Sequence, residues 1–313
     1  MVEPVTQLDF AAFQPRVAEK VVKLLLILDR IGRHPLLKPR LCLHGGTALN
    51  LFVLGAPRLS VDIDLNYIGS TDRDVMIAER PAVEKSVIAV AGELGFALTV
   101  GAAQHAGRSF RLQYQGQHGH DQVKIDLDYL NRSPLLLPVT KAVSISAGAE
   151  VSFLLNSDIE LFAGKTKALL ERVAVRDLYD VGKIASLYPE IVATGDEVLL
   201  RRIMLYYLSI SAPFPRPFQV SARFSGCGRD VATALYPMLA VNDRPSLSDM
   251  IAAAESFVEQ IAKPQDDVET EYLERAARAD FAPECLFVGY PETLAAARAD
   301  PAAAWKMRNL AKS

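Results

Sequence analysis

The chain has 313 residues, enough for two domains, with half of them apolar and a net charge of −3. No global basic field marks a nucleic-acid binder, so any RNA contact must rest on a local patch. Cys42, Cys227 and Cys285 stand far apart and fit neither a disulfide framework nor a Cys-x-x-Cys pair, the opening MVEPVTQLDF has no signal-sequence pattern, and no apolar run is long enough to span a bilayer; a cytoplasmic protein with no membrane partner is expected.

Apolar residues at helical spacing, Phe13, Val17, Val21, Leu24, Leu25 and Leu28, predict a helix within residues 8–32. Arg33, His34, Lys38 and Arg40 follow as a small basic loop, read first as a solvated turn. The stretch LCLHGGTALNLFVLGAPRLSVDIDLN then reads strand, glycine turn, helix, loop, strand. In the second of these strands Val61, Ile63 and Leu65 point one way, and Asp62 and Asp64 the other. Two carboxylates side by side repel each other unless a cation joins them, and oxygen ligands suit Mg²⁺. Gly45 and Gly46 let backbone approach a bulky anion, and the helix that starts at Thr47 offers unpaired N–H groups to phosphate.

A helix is predicted from Asp72 to Leu94, with Pro81 marking a break or a second start. Three strand-like runs follow, Phe96 to Val100, Arg108 to Tyr114 and Gln122 to Tyr129, the last two joined by a hairpin turn containing His118 and His120. In the third run Val123, Ile125 and Leu127 alternate with Lys124, Asp126 and Asp128. If that strand lies beside the Asp62/Asp64 strand, Asp126 completes a three-carboxylate site, with Asp128 in reserve.

After about residue 150 the alternation gives way to helical, Ala- and Leu-rich segments, and Asn156-Ser157-Asp158 has helix-capping chemistry. AGKT is not a phosphate-binding P-loop, because Ile159 stands where that motif needs its first glycine. Helices are predicted at 157–172 and 175–187, with Asp177 and Asp180 on one face and Arg176 within reach of Asp180. Further helices are predicted near 195–210, 228–240, 246–263, 266–279 and 290–311. The basic loop at 33–40 and the arginines at 201, 202, 216, 223 and 229 are the local candidates for holding RNA phosphates.

Taken together, GGTALNL and RLSVDIDL resemble the nucleotidyltransferase signature. More narrowly they resemble the AbiEii family, the toxin half of type IV toxin–antitoxin pairs, to which the MenT toxins belong. The likeness covers about residues 38–187. It implies an α/β nucleotidyltransferase domain with a mixed sheet over residues 1–155 and a helical domain over 156–313 that completes the active site. It implies transfer of a nucleoside monophosphate from an NTP, with pyrophosphate leaving. Asp62 and Asp64 would hold two Mg²⁺ ions, and Asp126 the ion that activates the acceptor hydroxyl. Gly45, Gly46, Thr47 and Ser60 would line the nucleotide. Lys165, which matches the family's third motif, would neutralise phosphate charge. Asp177, in the fourth, would orient Lys165 or the acceptor. Some related toxins are silenced by phosphorylation at the serine matching Ser60. The resemblance also implies an RNA acceptor, with the tRNA 3′ end leading, and a cognate antitoxin. Two alternatives are an acceptor that is a protein or small molecule, and a non-catalytic module binding nucleotide or antitoxin; a binding module has no need of clustered carboxylates.

Overall fold

The computed structural model describes residues 5–102, 104, 106–145, 149–215 and 219–310. The chain divides into two compact units: residues up to Ser157 together with Pro237–Asp243, and Asp158–Tyr236 together with the chain from Arg244 on. Pro237–Asp243 is a seven-residue return to the first unit.

The first unit is built on a mixed sheet of β1 (Thr6–Leu8), β2 (Leu41–His44), β3 (Asp62–Tyr67), β4 (Ala97–Val100), β5 (Gly107–Gly116), β6 (Gly119–Asp128), β7 (Val139–Ile145) and β8 (Glu150–Leu155). Across the sheet the order is β1-β7-β8-β2-β3-β6-β5-β4. β3 runs parallel to β6 and antiparallel to β2, and β5 and β6 form an antiparallel hairpin. Ile63, Leu65, Val123, Ile125 and Leu127 are fully buried, so the apolar half of each alternation is the core half.

Helix α1 (Pro15–Arg33) packs on β6 and β8 and buries Val21, Leu24, Leu25, Ile27, Leu28 and Ile31. Pro15 opens it where a missing N–H costs nothing, and Arg30 and Arg33 sit in its last turn, where cations oppose the helix dipole. After β2 a short turn, α2 (Gly45–Thr47), runs directly into a wide helical turn of π type, Ala48–Val53. Helix α3 (Arg73–Glu93) is capped by Asp72, whose carboxylate accepts from the backbone N–H groups of Asp74 and Val75. It passes through Pro81 without the break expected there. Pro81 and Ile77, whose carbonyl loses its partner, both lie on the exposed side, where water can take the bond.

The second unit is helical. Its helices are α4 (Asp158–Glu171), α5 (Val175–Ser186), α6 (Tyr188–Thr194), α7 (Glu197–Ser209), α8 (Val220–Phe224), α9 (Gly228–Asp230), α10 (Leu247–Ile261), α11 (Asp267–Ala277), α12 (Glu284–Phe287), α13 (Pro291–Ala299) and α14 (Pro301–Leu310). α4 packs on α5 and α7, and α10 on α5 and α7. The single helix expected near 228–240 is instead α9 followed by a wide turn, Val231–Leu235, and a tight one, Tyr236–Met238. Among the described residues no helix is long and apolar enough to cross a membrane.

Candidate active site

Strand register brings the acidic residues together. Asp64 of β3 is the direct partner of Asp126 on β6, and Asp62 is the partner of Lys124. On the other side of β3, His44 is the partner of Asp64. Beyond β6, Ser109 of β5 is the partner of Asp126. One row across four strands therefore reads His44, Asp64, Asp126, Ser109, with Asp62 and Lys124 one rank along on the same face. Asp128, two residues beyond Asp126, instead folds back on its own loop and accepts from Leu130 N, Asn131 N and Asn131 Nδ2.

Gly45 closes one wall. It has φ +71°, and a Cβ built on it would lie 2.4 Å from Asp64 Oδ2. Only glycine combines that backbone with that approach, so the carboxylate rests on bare main chain. Thr47 is fully buried, and its hydroxyl donates to the backbone carbonyl of Asp62. That bond ties the turn after β2 to the start of β3. The Gly46 carbonyl accepts from Asn50 Nδ2, which tightens the same turn. Ser60, just ahead of β3, is only 7% exposed.

The Asp126 carboxylate is held at both oxygens. Ser109 Oγ donates to Oδ1 at 2.5 Å, and Lys124 Nζ reaches Oδ2 at 2.5 Å. Ser109 is a site residue that the sequence reading did not single out. Its signal was present, because the hairpin turn at Gln117–His118 fixes every β5–β6 pair, Ser109 with Asp126 included. His118 and His120 belong to that hairpin. Among the described residues no three His, Cys, Asp or Glu side chains are drawn close enough to hold a metal ion.

A groove of about 690 Å³ in the same unit is lined by Asp29, Arg33, Lys38, Leu41, Thr140 and Phe153, among others. It lies at the Leu41 end of β2, whereas the acidic row is at the His44 end. The basic loop beside it is largely neutralised: Arg33 pairs with Asp29, and Arg40 with Glu79. The Arg40 guanidinium, joined by the Tyr67 hydroxyl, holds the Glu79 carboxyl down at about 2.

Within the second unit, Lys165 on α4 is buried against α5, its Nζ 3.0 Å from both Asp177 Oδ1 and Asp180 Oδ2. Arg172 adds a two-point contact to Asp177. Burial pushes the Asp177 carboxyl up, but Lys165 and Arg172 outweigh it, and the net shift is down. Asp180 thus takes Lys165, and the pairing of Arg176 with Asp180 expected from their spacing is not among the described contacts. The arginines proposed for RNA fare unevenly. Arg201 is buried on Glu269, and Arg202 leans on Glu269 and Asp266, so their charge is spent inside the unit. Arg223 donates to the Leu170 carbonyl, Arg229 is exposed, and Arg216 lies outside the described residues.

Two solved structures share the fold. MenT4, a nucleotidyltransferase toxin from Mycobacterium tuberculosis H37Rv, matches with a TM-score of 0.57 at 18% identity, over 90% of this chain and 92% of its own. JHP933 from Helicobacter pylori matches with a TM-score of 0.51 at 14% identity, over 85% and 97%. A search of curated protein sequences finds no match. The family model described as "Nucleotidyl transferase AbiEii toxin, Type IV TA system" matches residues 26–224, well over half of the chain, and this span holds the carboxylate row, Gly45, Thr47 and the Lys165 cluster. The chain belongs to the AbiEii family of nucleotidyltransferase toxins of type IV toxin–antitoxin systems.

Proposed function

We propose that the chain transfers a nucleoside monophosphate from an NTP to a hydroxyl of an RNA acceptor, and that the acceptor is the tRNA 3′ end. The observation that carries the reaction is the register of Asp62, Asp64 and Asp126 on one sheet face, with Asp64 lying on the bare backbone of Gly45. The donors are carboxylate oxygens, and a cation, the Lys124 ammonium, already sits on one of them. Both facts suit Mg²⁺, which takes one or two carboxylates and completes its shell with phosphate and water. Asp62 and Asp64 would hold two such ions, with Asp126 sharing the one on the acceptor side. Bound there, they would neutralise phosphate charge and make the acceptor hydroxyl a stronger nucleophile.

The chain's own residues do the positioning. Gly45 and Gly46 leave main chain uncovered for close approach of the triphosphate. Thr47 fixes that turn against the first residue of β3, and Ser60 leads into the same strand. Ser109 donates to Asp126 Oδ1 and so fixes the rotamer of that carboxylate. The acceptor oxygen bonds to the α-phosphorus, the bond to the pyrophosphate oxygen breaks, and the hydroxyl proton leaves to solvent. Lys165 is proposed to neutralise developing phosphate charge, with Asp177 orienting it; to do so Nζ must exchange a carboxylate partner for phosphate oxygen.

The resemblance to the MenT toxins supports RNA as the acceptor. A tRNA 3′ end is single-stranded and can present a terminal hydroxyl without opening a duplex. Nucleotide added there would block aminoacylation and stop translation, the harm that a cognate antitoxin would restrain. The test is incubation with Mg²⁺, labelled NTP, total RNA and total protein. Label is expected in the tRNA band and should fall as salt rises, because phosphate contacts weaken with salt. Label in protein and none in RNA would overturn the RNA reading in favour of a protein acceptor.

A further inference from the structure

Lys124 has a place in the acidic row that the mechanism above leaves unused. Its ammonium lies 2.5 Å from Asp126 Oδ2, and its strand partner is Asp62. Ser109 holds the other oxygen of Asp126, so the carboxylate cannot turn away from the lysine without breaking a second bond. Asp64, the direct neighbour of Asp126, has no hydrogen bond or ion pair of its own among the described contacts. Two like charges that face each other across adjacent strands thus have this amine beside them, on the carboxylate assigned to the acceptor-side metal.

We propose that Lys124 is a resident counter-cation: it offsets the facing charges of Asp64 and Asp126 in the metal-free protein, and the incoming divalent ion displaces it from Asp126. The inference rests on the metal-dependent reading above. Physically, like charges directly opposite on a sheet, as Asp64 and Asp126 are, repel each other and are destabilising. An ammonium on the same face removes that repulsion while the site waits for metal. Both partners are 38% exposed, so the pair is partly screened and exchangeable rather than locked. Once displaced, the four-carbon stem leaves the charge on the same face, where phosphate oxygens are its natural next partner. A lysine with a purely structural role makes the opposite demand, since its loss would loosen the site and weaken metal binding.

The test is Mn²⁺ binding to the purified full-length chain, read from the resonance of free Mn²⁺, beside metal-free melting. Lys124→Met removes the competitor; it should bind Mn²⁺ about tenfold tighter than wild type, equivalent to about 1.4 kcal/mol. It should also melt lower than wild type without metal and recover when Mn²⁺ is added. Lys124→Arg keeps a permanent charge and grips carboxylate at two points, so it should bind Mn²⁺ more weakly than wild type. Lys124→Arg reads the displacement even if Lys124→Met fails to fold. Equal or weaker Mn²⁺ binding by Lys124→Met, or tighter binding by Lys124→Arg, overturns the displacement, and loss of binding in Asp64→Asn shows that the metal reading survives it. No Mn²⁺ binding by wild type and variants alike overturns the metal reading and the displacement with it.

Discussion

Replacing Gly45 with alanine tests the geometry at its tightest point. The added methyl would sit 2.4 Å from Asp64 Oδ2 and 3.1 Å from its Cγ. Ordinary contact begins near 3.4 Å, so the carboxylate must retreat by about one ångström. A shift of that size at a reacting centre costs on the order of a hundredfold in rate. Holding alanine at φ +71° costs a further ~1–2 kcal/mol of stability, worth roughly 2–8 °C of melting temperature in a unit of this size. Gly95 provides the control. It has φ +76° with nothing within 4 Å of a built Cβ, so Gly95→Ala carries the same backbone strain and touches no carboxylate. Both variants should therefore melt a few degrees early, and only Gly45→Ala should lose transfer of labelled NTP to RNA under conditions where both are folded. A Gly45→Ala protein with wild-type transfer would refute the argument that Asp64 must rest on bare backbone.

Three other outcomes follow from the same contacts. On the proposed two-metal reading, Asp62→Asn and Asp64→Asn should each lower transfer roughly a thousandfold; near-normal rates in both would remove this row from consideration. Lys165→Ala should destabilise by up to about 3–5 kcal/mol, because it removes a buried cation that two buried carboxylates share, and urea melts measure it; a variant as stable as wild type would show that the cluster is not structural. Glu79 is held at about 2 against an ordinary 4.5, a depressed carboxyl whose stabilisation is complete above 4.5 and is lost as pH falls towards 2. Glu79→Gln should therefore cost at most about 3 kcal/mol at neutral pH and flatten the stability curve between those limits, and an unchanged acid limb would argue against the Arg40–Glu79–Tyr67 contact.

What the sequence made legible was local. Alternation in DIDLN and VKIDLD placed the carboxylates on polar strand faces, and helical spacing placed α1, α4, α5, α7, α10 and α11 within a few residues. What it concealed was pairing between distant segments. β7 and β8 went unread although they pair with each other as a hairpin; what joins that hairpin to the rest of the sheet is distant in the chain, Leu8 with Ile145 and Leu43 with Leu155. Arg201 looked available for RNA because nothing local reveals Glu269, its partner on another helix. The contact of Lys165 with Asp177 and Asp180 was not legible, because the packing of α4 on α5 is tertiary. The Lys124–Asp126 contact lay within one strand at i,i+2, readable as a shared face but not as a bond.

The return of Pro237–Asp243 to the first unit bears on how the protein is made. Met238 accepts from Leu59 N, Leu239 bridges to Arg58, and Val241 donates to Ala12. Arg58 and Leu59 belong to the loop that delivers Ser60 and Asp62. That loop is therefore fastened by residues a ribosome reaches only after the intervening 158–236 have been added. A nascent chain carries every acidic residue of the row long before it carries the clasp. A polypeptide ending at 236 should show protease cutting near Arg58 that one ending at 243 resists. If so, the unit that carries the acidic row finishes assembling only late in synthesis, which gives the producing cell an interval before the toxin is complete.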